Sequence, residues 1–433
     1  MSNQIFNQGL LGFLNRSRTP FHAVSALIES LLQAGYEELR EAAQWQITYP
    51  GKYFVCRGGS SIVGFSLGSK SVIGSGVQMV GSHTDSPCLK LKPNAAFQAH
   101  GYWQLGVEVY GGALLNPWFD RDLSLAGRVT LRLANGEIID RLIDFERAIA
   151  IIPSLAIHLD RQANERRTIN AQTYLPAIVC RDTEYFDLEA EILQLIAQSD
   201  PNISEAQVVA HELSLYPIES ANLVGLRDEF IAGARLDNLL SCYVSCQALI
   251  DTSSDTNCLI VCNDHEEVGS GSAVGASSTL LRSVIERLAD TNEGFARSMA
   301  QSTLVSSDNA HGVHPNYADR HDSKHLPMLN AGPAIKVNSN QAYASNSRTI
   351  ALFKEACMRA NVPVQSFVSR ADLRCGSTIG PLTATAIGVQ TVDVGVPTFA
   401  MHSTRELAGS EDPYSLYLAL RCFYGHPSAG TGI

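Results

Sequence analysis

The chain has 433 residues, enough for two or three domains of the usual ~150-residue size. With 45% hydrophobic and only 17% charged residues it is not an intrinsically disordered chain, which needs few apolar residues and a high net charge. A net charge of -11 and the absence of any long Lys/Arg run exclude a broad nucleic-acid-binding surface, although a compact cationic pocket remains compatible with them.

Ten cysteines are too sparse for a disulfide scaffold. Neither Cys242/Cys246 nor Cys258/Cys262 has the CxxC spacing of a zinc ribbon, so buried free thiols of a reducing compartment are expected. The N-terminal segment lacks a basic n-region before a long apolar core, and no apolar run approaches the ~18 residues of a membrane span. The expected placement is cytoplasmic, with no membrane and no nucleic-acid partner.

In chain order, Thr19-Pro20 opens an amphipathic helix over 21–35 that closes at Gly35. The segment 71–81, SVIGSGVQMVG, reads as a buried strand stopping at His83. From about 93 to 230 short alternating strands dominate, among them 103–110 and 128–133. Asn135-Gly136 predicts a hairpin, and a helix follows around 185–197. After Asp237 the pattern returns to helices at 238–251, 280–289 and 349–359, with strands at 258–264, 302–306, 365–368 and 390–394. Strands alternating with helices predict an α/β fold, a central mixed sheet flanked by helices. Residues 1–92 and 231–433 form one discontinuous domain in this reading, interrupted by a β-rich insert at 93–230.

The chemical signal is dispersed, and its members lie just beyond predicted strands. His83 and Asp85 stand in GSHTDSP, Asp237 in GARLDN, Glu266 and Glu267 in CNDHEEVGS, Asp308 in SSDNAH and His402 in FAMHSTRE. In open α/β folds the carboxyl ends of strands deliver side chains to one crevice, whatever their separation in sequence. Two histidines and three carboxylates can hold two divalent cations with one carboxylate bridging. Such a pair clamps both oxygens of a tetrahedral transition state and lowers the pKa of a shared water. The remaining glutamate would accept the proton of that water and pass it to the leaving amine. Taken singly, each residue has a plainer reading: a lone strand-end histidine is usually hydrogen-bonded at the surface, an Asp at a strand–helix junction usually caps the helix, and paired glutamates are usually solvated. Gly74 and Gly76 give only a GxG, without the continuation a dinucleotide site needs.

Eight ordered blocks resemble the M18 metallopeptidases, the aspartyl aminopeptidase family, in a bacterial form. They are GSHTDSPCLKLKP at 81–93, NPWFDRDLSLAGRV at 116–129, IPSLAIHLDR at 152–161, GARLDN at 233–238, NDHEEVGS at 263–270, SDNAHGVHPNY at 307–317, CGSTIGP at 375–381 and VDVGVPTFAMHSTRE at 392–406. The resemblance implies that His83 and Asp308 hold one ion, that Glu267 and His402 hold the other, and that Asp237 bridges them. It makes Glu266 the general base and Asp85 the carboxylate that orients His83. Zinc is the expected metal at both positions, with manganese or cobalt also suited to such ligands.

The same resemblance implies an aminopeptidase that prefers N-terminal aspartate or glutamate on short peptides with a free N-terminus. Lys336, in GPAIKVNSNQ, matches the cation that would meet the acidic side chain; its plain alternative is a lysine snorkelling beside a sheet. His158, in LAIHLDR, matches a histidine that reaches a neighbouring subunit's active site and helps stabilise the tetrahedral intermediate. The insert would then serve dimerisation, and the assembly would be a homo-oligomer, a tetrahedral dodecamer built from dimers. Two departures bear on specificity: Asn309 stands where the family carries Met, and Ala342 where it carries Arg. Three other functions fit parts of the pattern: an aminopeptidase favouring neutral residues, a carboxypeptidase or deacylase on the same core, and a non-enzymatic assembly protein.

Overall fold

Neighbouring residues on a strand point to opposite faces, and the central strands of this chain are buried at nearly every position, which suits a sheet covered by helices on both sides. A computed structural model describes residues 1–183, 185–200, 203, 206–252 and 255–425. The chain forms two compact units. One comprises Met1–Asp85, Ala221–Met401 and the chain from Glu406, and the other Ser86–Ser220 with His402–Arg405.

The first unit is built on a nine-stranded mixed sheet. Its strands, in spatial order, are Glu37–Glu38, Gly51–Arg57, Ser61–Leu67, Cys258–Asn263, Gln78–His83, Thr303–Ser307, Gln390–Gly395, Ala334–Val337 and Gln365–Val368. Gln78–His83 runs parallel to Cys258–Asn263 on one side and to Thr303–Ser307 on the other, and Thr303–Ser307 runs parallel to Gln390–Gly395. Four adjacent strands therefore end at the same edge.

Alternation divides the side chains between two cores. Val80, Ile260 and Val305 join a core made with the helices Asn3–Arg16, Pro20–Gln33, Leu236–Ile250, Ser347–Ala360 and Asp412–Tyr424. Their neighbours Met79, Leu259, Val261 and Leu304 join another made with Leu280–Ala289 and Asn292–Ala300. At ~1.5–3 kcal/mol for each fully buried large apolar side chain, both faces contribute to holding the strand ends in place. A separate five-stranded sheet in this unit orders Asn222–Val224, Phe230–Gly233, Glu406–Gly409, Pro397–Phe399 and Ala310–His311.

The second unit holds a six-stranded sheet whose pairings are all antiparallel. Leu123–Arg132 pairs with Ile138–Asp144 across the Asn135-Gly136 turn, where Gly136 adopts φ 86° and the Glu137 N–H donates to Asn135 Oδ1 at 2.9 Å. Leu188, Ile192 and Ile196 of the helix Leu188–Ser199 pack onto this sheet's own core. Asp187 caps that helix by accepting the Glu189 and Ala190 N–H groups.

One sequence expectation changes. Residues 71–81 are not strand throughout: Val72–Ser75 is a helical turn, and the strand begins at Gln78. The β-branched Val72 and Ile73 suggested extended chain, but the Ser71 side chain accepts the Ile73 N–H and Gly76 ends the turn at φ 67°. All ten cysteines are free thiols, five of them buried and Cys180 exposed. Among the described residues no helix is long and apolar enough to cross a membrane.

Candidate metal centre

The shared edge of the four parallel strands carries the site. His83 is the last residue of Gln78–His83 and is almost wholly buried. Its Nδ1 lies 3.1 Å from the Asp85 carbonyl oxygen and 3.3 Å from Asp85 Oδ1. A proton on Nδ1 satisfies these acceptors and leaves Nε2 as the liganding atom. Nε2 is 3.5 Å from Asp237 Oδ1 and 3.5 Å from Asp308 Oδ1. Burial would push the imidazole pKa down, but the carboxylates of Asp237, Asp308 and Asp85 outweigh it and hold His83 well above its usual value. The cluster attracts a positive charge.

Each carboxylate has its own support. Asp237 sits at the irregular start of Leu236–Ile250, after Arg235 at φ 63°, and its N–H donates to the buried Glu406 at 2.9 Å. The Asp237–Asn238 peptide is cis, and Asn238 Nδ2 donates to the Ser307 carbonyl at 2.9 Å, fastening this corner to the end of a neighbouring strand. Asp308 directly follows Thr303–Ser307, and its Oδ2 accepts from Lys336 Nζ at 3.1 Å. Lys336 is only 2% exposed; its Nζ also donates to the Asn309 carbonyl at 3.1 Å and lies 5.2 Å from the Tyr343 ring centroid.

Glu266 and Glu267 leave the sheet on a 3-10 turn, Glu266–Val268, set by His265 at φ 64°. Both backbone N–H groups donate to the Asp85 carboxylate, one to each oxygen, at 3.1 Å. Asp85 therefore holds His83 on one side and the turn with both glutamates on the other. Burial pushes the Glu266 carboxyl up to about 7; His83 opposes the shift, and Asp308, Asp237 and Asp85 add to it.

The donor chemistry fits divalent cations. His83, Asp237 and Asp308 each offer a ligand atom, all within 4.8 Å of one another, and so do His83, Glu266 and Glu267. Imidazole with carboxylates suits zinc, manganese or cobalt, and buried carboxylates this close to one another need a cation among them. Two of the expected residues belong to the second unit. His402 belongs to the second unit, at φ 69°, with Nδ1 3.1 Å from the Gly112 carbonyl oxygen. His158 lies on an exposed turn of that same unit. Glu406 and Tyr343 escaped the sequence reading as functional positions. Glu406 closes the last of the eight blocks, and Tyr343 stands beside the Ala342 departure, so both were in view without a role.

Carboxylates and an imidazole gathered at strand ends, with a further carboxylate fixing the imidazole and a buried glutamate alongside, define a metal-dependent hydrolase site. The model of the family described as aminopeptidase I zinc metalloprotease (M18) matches residues 13–424, and the chain belongs to that family. It is 55% identical over 422 residues to a probable M18 family aminopeptidase 2 of Ectopseudomonas mendocina, covering 97% of this chain and 98% of the relative. Among solved structures it is similar to a chain of the Ape4 and Nbr1 complex, with TM-score 0.94, 39% identity and coverage of 98% of this chain and 86% of that one. It is also similar to the S. cerevisiae mApe1 dodecamer, with TM-score 0.84, 28% identity and coverage of 98% and 97%. The chain is a metal-dependent aminopeptidase with a dinuclear-type metal site.

Proposed function

We propose that the protein removes the N-terminal residue from short peptides with a free N-terminus and prefers aspartate or glutamate there. The observation that carries the acidic preference is Lys336. It is a buried cation beside the site with three N–H donors and, among the described residues, two acceptors, Asp308 Oδ2 and the Asn309 carbonyl. A substrate carboxylate completes that set, whereas a neutral side chain leaves a donor unmet at a cost.

In this reading His83 and Asp308 would hold one ion, Glu267 and His402 would hold the other, and Asp237 would serve both. Zinc is the first choice for the donors. Bound there, the two ions supply electrostatic stabilisation of the developing oxyanion and lower the pKa of a water. The remaining steps belong to the chain. Glu266 accepts the proton from the attacking water and returns it to the departing amine. Asp85 keeps Glu266 in position through its backbone N–H and keeps the His83 ring in the tautomer that presents Nε2.

His158, on its exposed turn, contributes to the site of a neighbouring subunit, so that assembly is a condition of full activity. A dodecamer is the expected assembly, supported by the likeness to the S. cerevisiae dodecamer, with the block 93–230 as its dimerisation domain. A cytoplasmic setting is supported by ten free cysteines. The test is a set of initial rates on aspartyl, glutamyl, leucyl and alanyl peptides. Faster release of Asp and Glu agrees with the proposal. Faster Leu or Ala release leaves the hydrolysis in place and overturns the acidic preference.

A further inference from the structure

The first unit contains a cavity of about 310 Å³ whose walls carry His311, His314, His321, Arg320, Arg370 and Arg374, and no Asp or Glu. That volume is at the lower end of ligand sites, room for one or two residues of a peptide. Its aromatic wall links it to the metal centre. The Phe367 ring centroid lies 5.7 Å from that of His311, 6.5 Å from His321 and 6.3 Å from Tyr343. Tyr343, in turn, is the ring beside Lys336, which holds Asp308. His311 follows Asp308 by three residues, and burial and then Lys336 push its pKa down, so that a neutral ring stands at the junction.

The cationic groups are not all spoken for. Arg370 is committed to Asp372, with hydrogen bonds of 2.8 and 2.6 Å. Among the described residues the Arg320 side chain reaches only Asp319, at 3.7 Å. Arg374 has no hydrogen bond or ion pair among the described residues, and His321 Nδ1 is buried without a hydrogen-bond partner. Guanidinium groups over aromatic walls recognise carboxylates in a planar, often bidentate way. Lys336 itself does not line the cavity, so the two cationic positions can take different groups of one substrate.

We propose that this cavity is a second anion-recognising subsite, which takes a carboxylate carried by the peptide downstream of the cleaved bond. That carboxylate is either the side chain of an acidic second residue or the C-terminal carboxylate of a dipeptide. Consecutive Cα atoms are ~3.8 Å apart, so a residue next to the one at the metal centre reaches an adjoining cavity without a long spacer. The inference rests on the aminopeptidase function, and it is independent of which residue is preferred at the N-terminus.

The test uses the full holoenzyme and peptides that begin with alanine, which leaves Lys336 out of the comparison. Ala-Asp-amide is measured against Ala-Asn-amide, and free Ala-Ala against Ala-Ala-amide, so the two pairs separate the two sources of carboxylate. In at least one pair the carboxylate peptide has a KM lower by about tenfold, the scale of one charge-assisted contact. In the double variant Arg320→Gln/Arg374→Gln that ratio falls to about one, and Arg374→Lys restores part of it. Binding of uncleavable reduced-bond analogues to the same holoenzyme reads the ratio without turnover, so loss of the subsite and loss of hydrolysis are separate results. Equal KM and equal analogue binding within both pairs would overturn the inference. So would a double variant that changes only the aspartyl-first to alanyl-first ratio, because the cavity would then serve the first residue.

Discussion

Replacing Asp85 removes the one group that fixes both halves of the site. In Asp85→Ala the Glu266 and Glu267 N–H groups lose their 3.1 Å acceptors and His83 Nδ1 loses the carboxylate at 3.3 Å. Hydrogen bonds to a charged group contribute ~1.5–3 kcal/mol each, and the turn and ring will relax in part rather than lose the full sum. If about 3 kcal/mol of organisation is lost, kcat/KM falls by about 100-fold, since each ~1.4 kcal/mol is tenfold. Asp85→Asn keeps the shape and one acceptor oxygen but turns an NH2 towards one of the two N–H donors, so a drop of about tenfold is expected. Loss of such an orienting group also weakens metal affinity by ~10–100-fold. The assay is kcat/KM at saturating metal together with a metal titration of activity. If Asp85→Ala retained kcat/KM within about twofold and an unchanged metal requirement, the reasoning about this carboxylate would be refuted.

Further expectations concern specificity, packing and pH. Lys336→Met should raise KM for aspartyl peptides by about tenfold or more relative to alanyl peptides; an equal loss on both would mean that the lysine serves only to hold Asp308. A Cβ at Gly395 would stand 1.9 Å from the Asp308 carbonyl oxygen, so Gly395→Ala must displace the backbone that carries a ligand. A cost of about 1–3 kcal/mol, read as a lowered thermal midpoint, is expected. Burial pushes Asp412 up to about 7, although the Asn330 and Gly332 N–H groups, donating at 2.6 and 2.8 Å, oppose the shift. The folded protein then binds more protons than the unfolded chain between about pH 4 and 7. The contribution of this group is present at low pH and lost as pH rises through about 7, on the order of 1 kcal/mol per pH unit. Thermal midpoints of wild type and Asp412→Asn across that range should converge or cross with this slope; parallel curves would contradict it.

Much of the site was legible because strand ends can be read from sequence. CLIVC is an unbroken apolar run and STLVS carries Leu and Val at its centre, and the Glu266–Glu267 pair and Asp308 follow these strands as the pattern predicts. The placement of the two glutamates on a turn was also legible, since adjacent residues on a regular strand would point oppositely. What produces that turn was not: His265 stands at φ 64°, and the two N–H groups are drawn to Asp85, 181 and 182 positions away. The five-stranded sheet was illegible because its strands have two to four residues, too short for an alternation to register. Lys336 looked ambiguous for a related reason. A lysine in an apolar strand snorkels or is buried with a partner, and only its bond to Asp308, set by the register of distant strands, decides between them.

The most direct test of the central claim is made on one purified sample of the full chain: bound metal per subunit, and release of the N-terminal residue from peptides with free, acetylated and C-terminally amidated ends. The expected result is about two divalent ions per subunit, with hydrolysis that stops on N-acetylation, tolerates the C-terminal amide, is abolished by chelation and returns when metal is restored. Hydrolysis that survives complete removal of metal, or cleavage of the acetylated peptide from its C-terminal end, would contradict it.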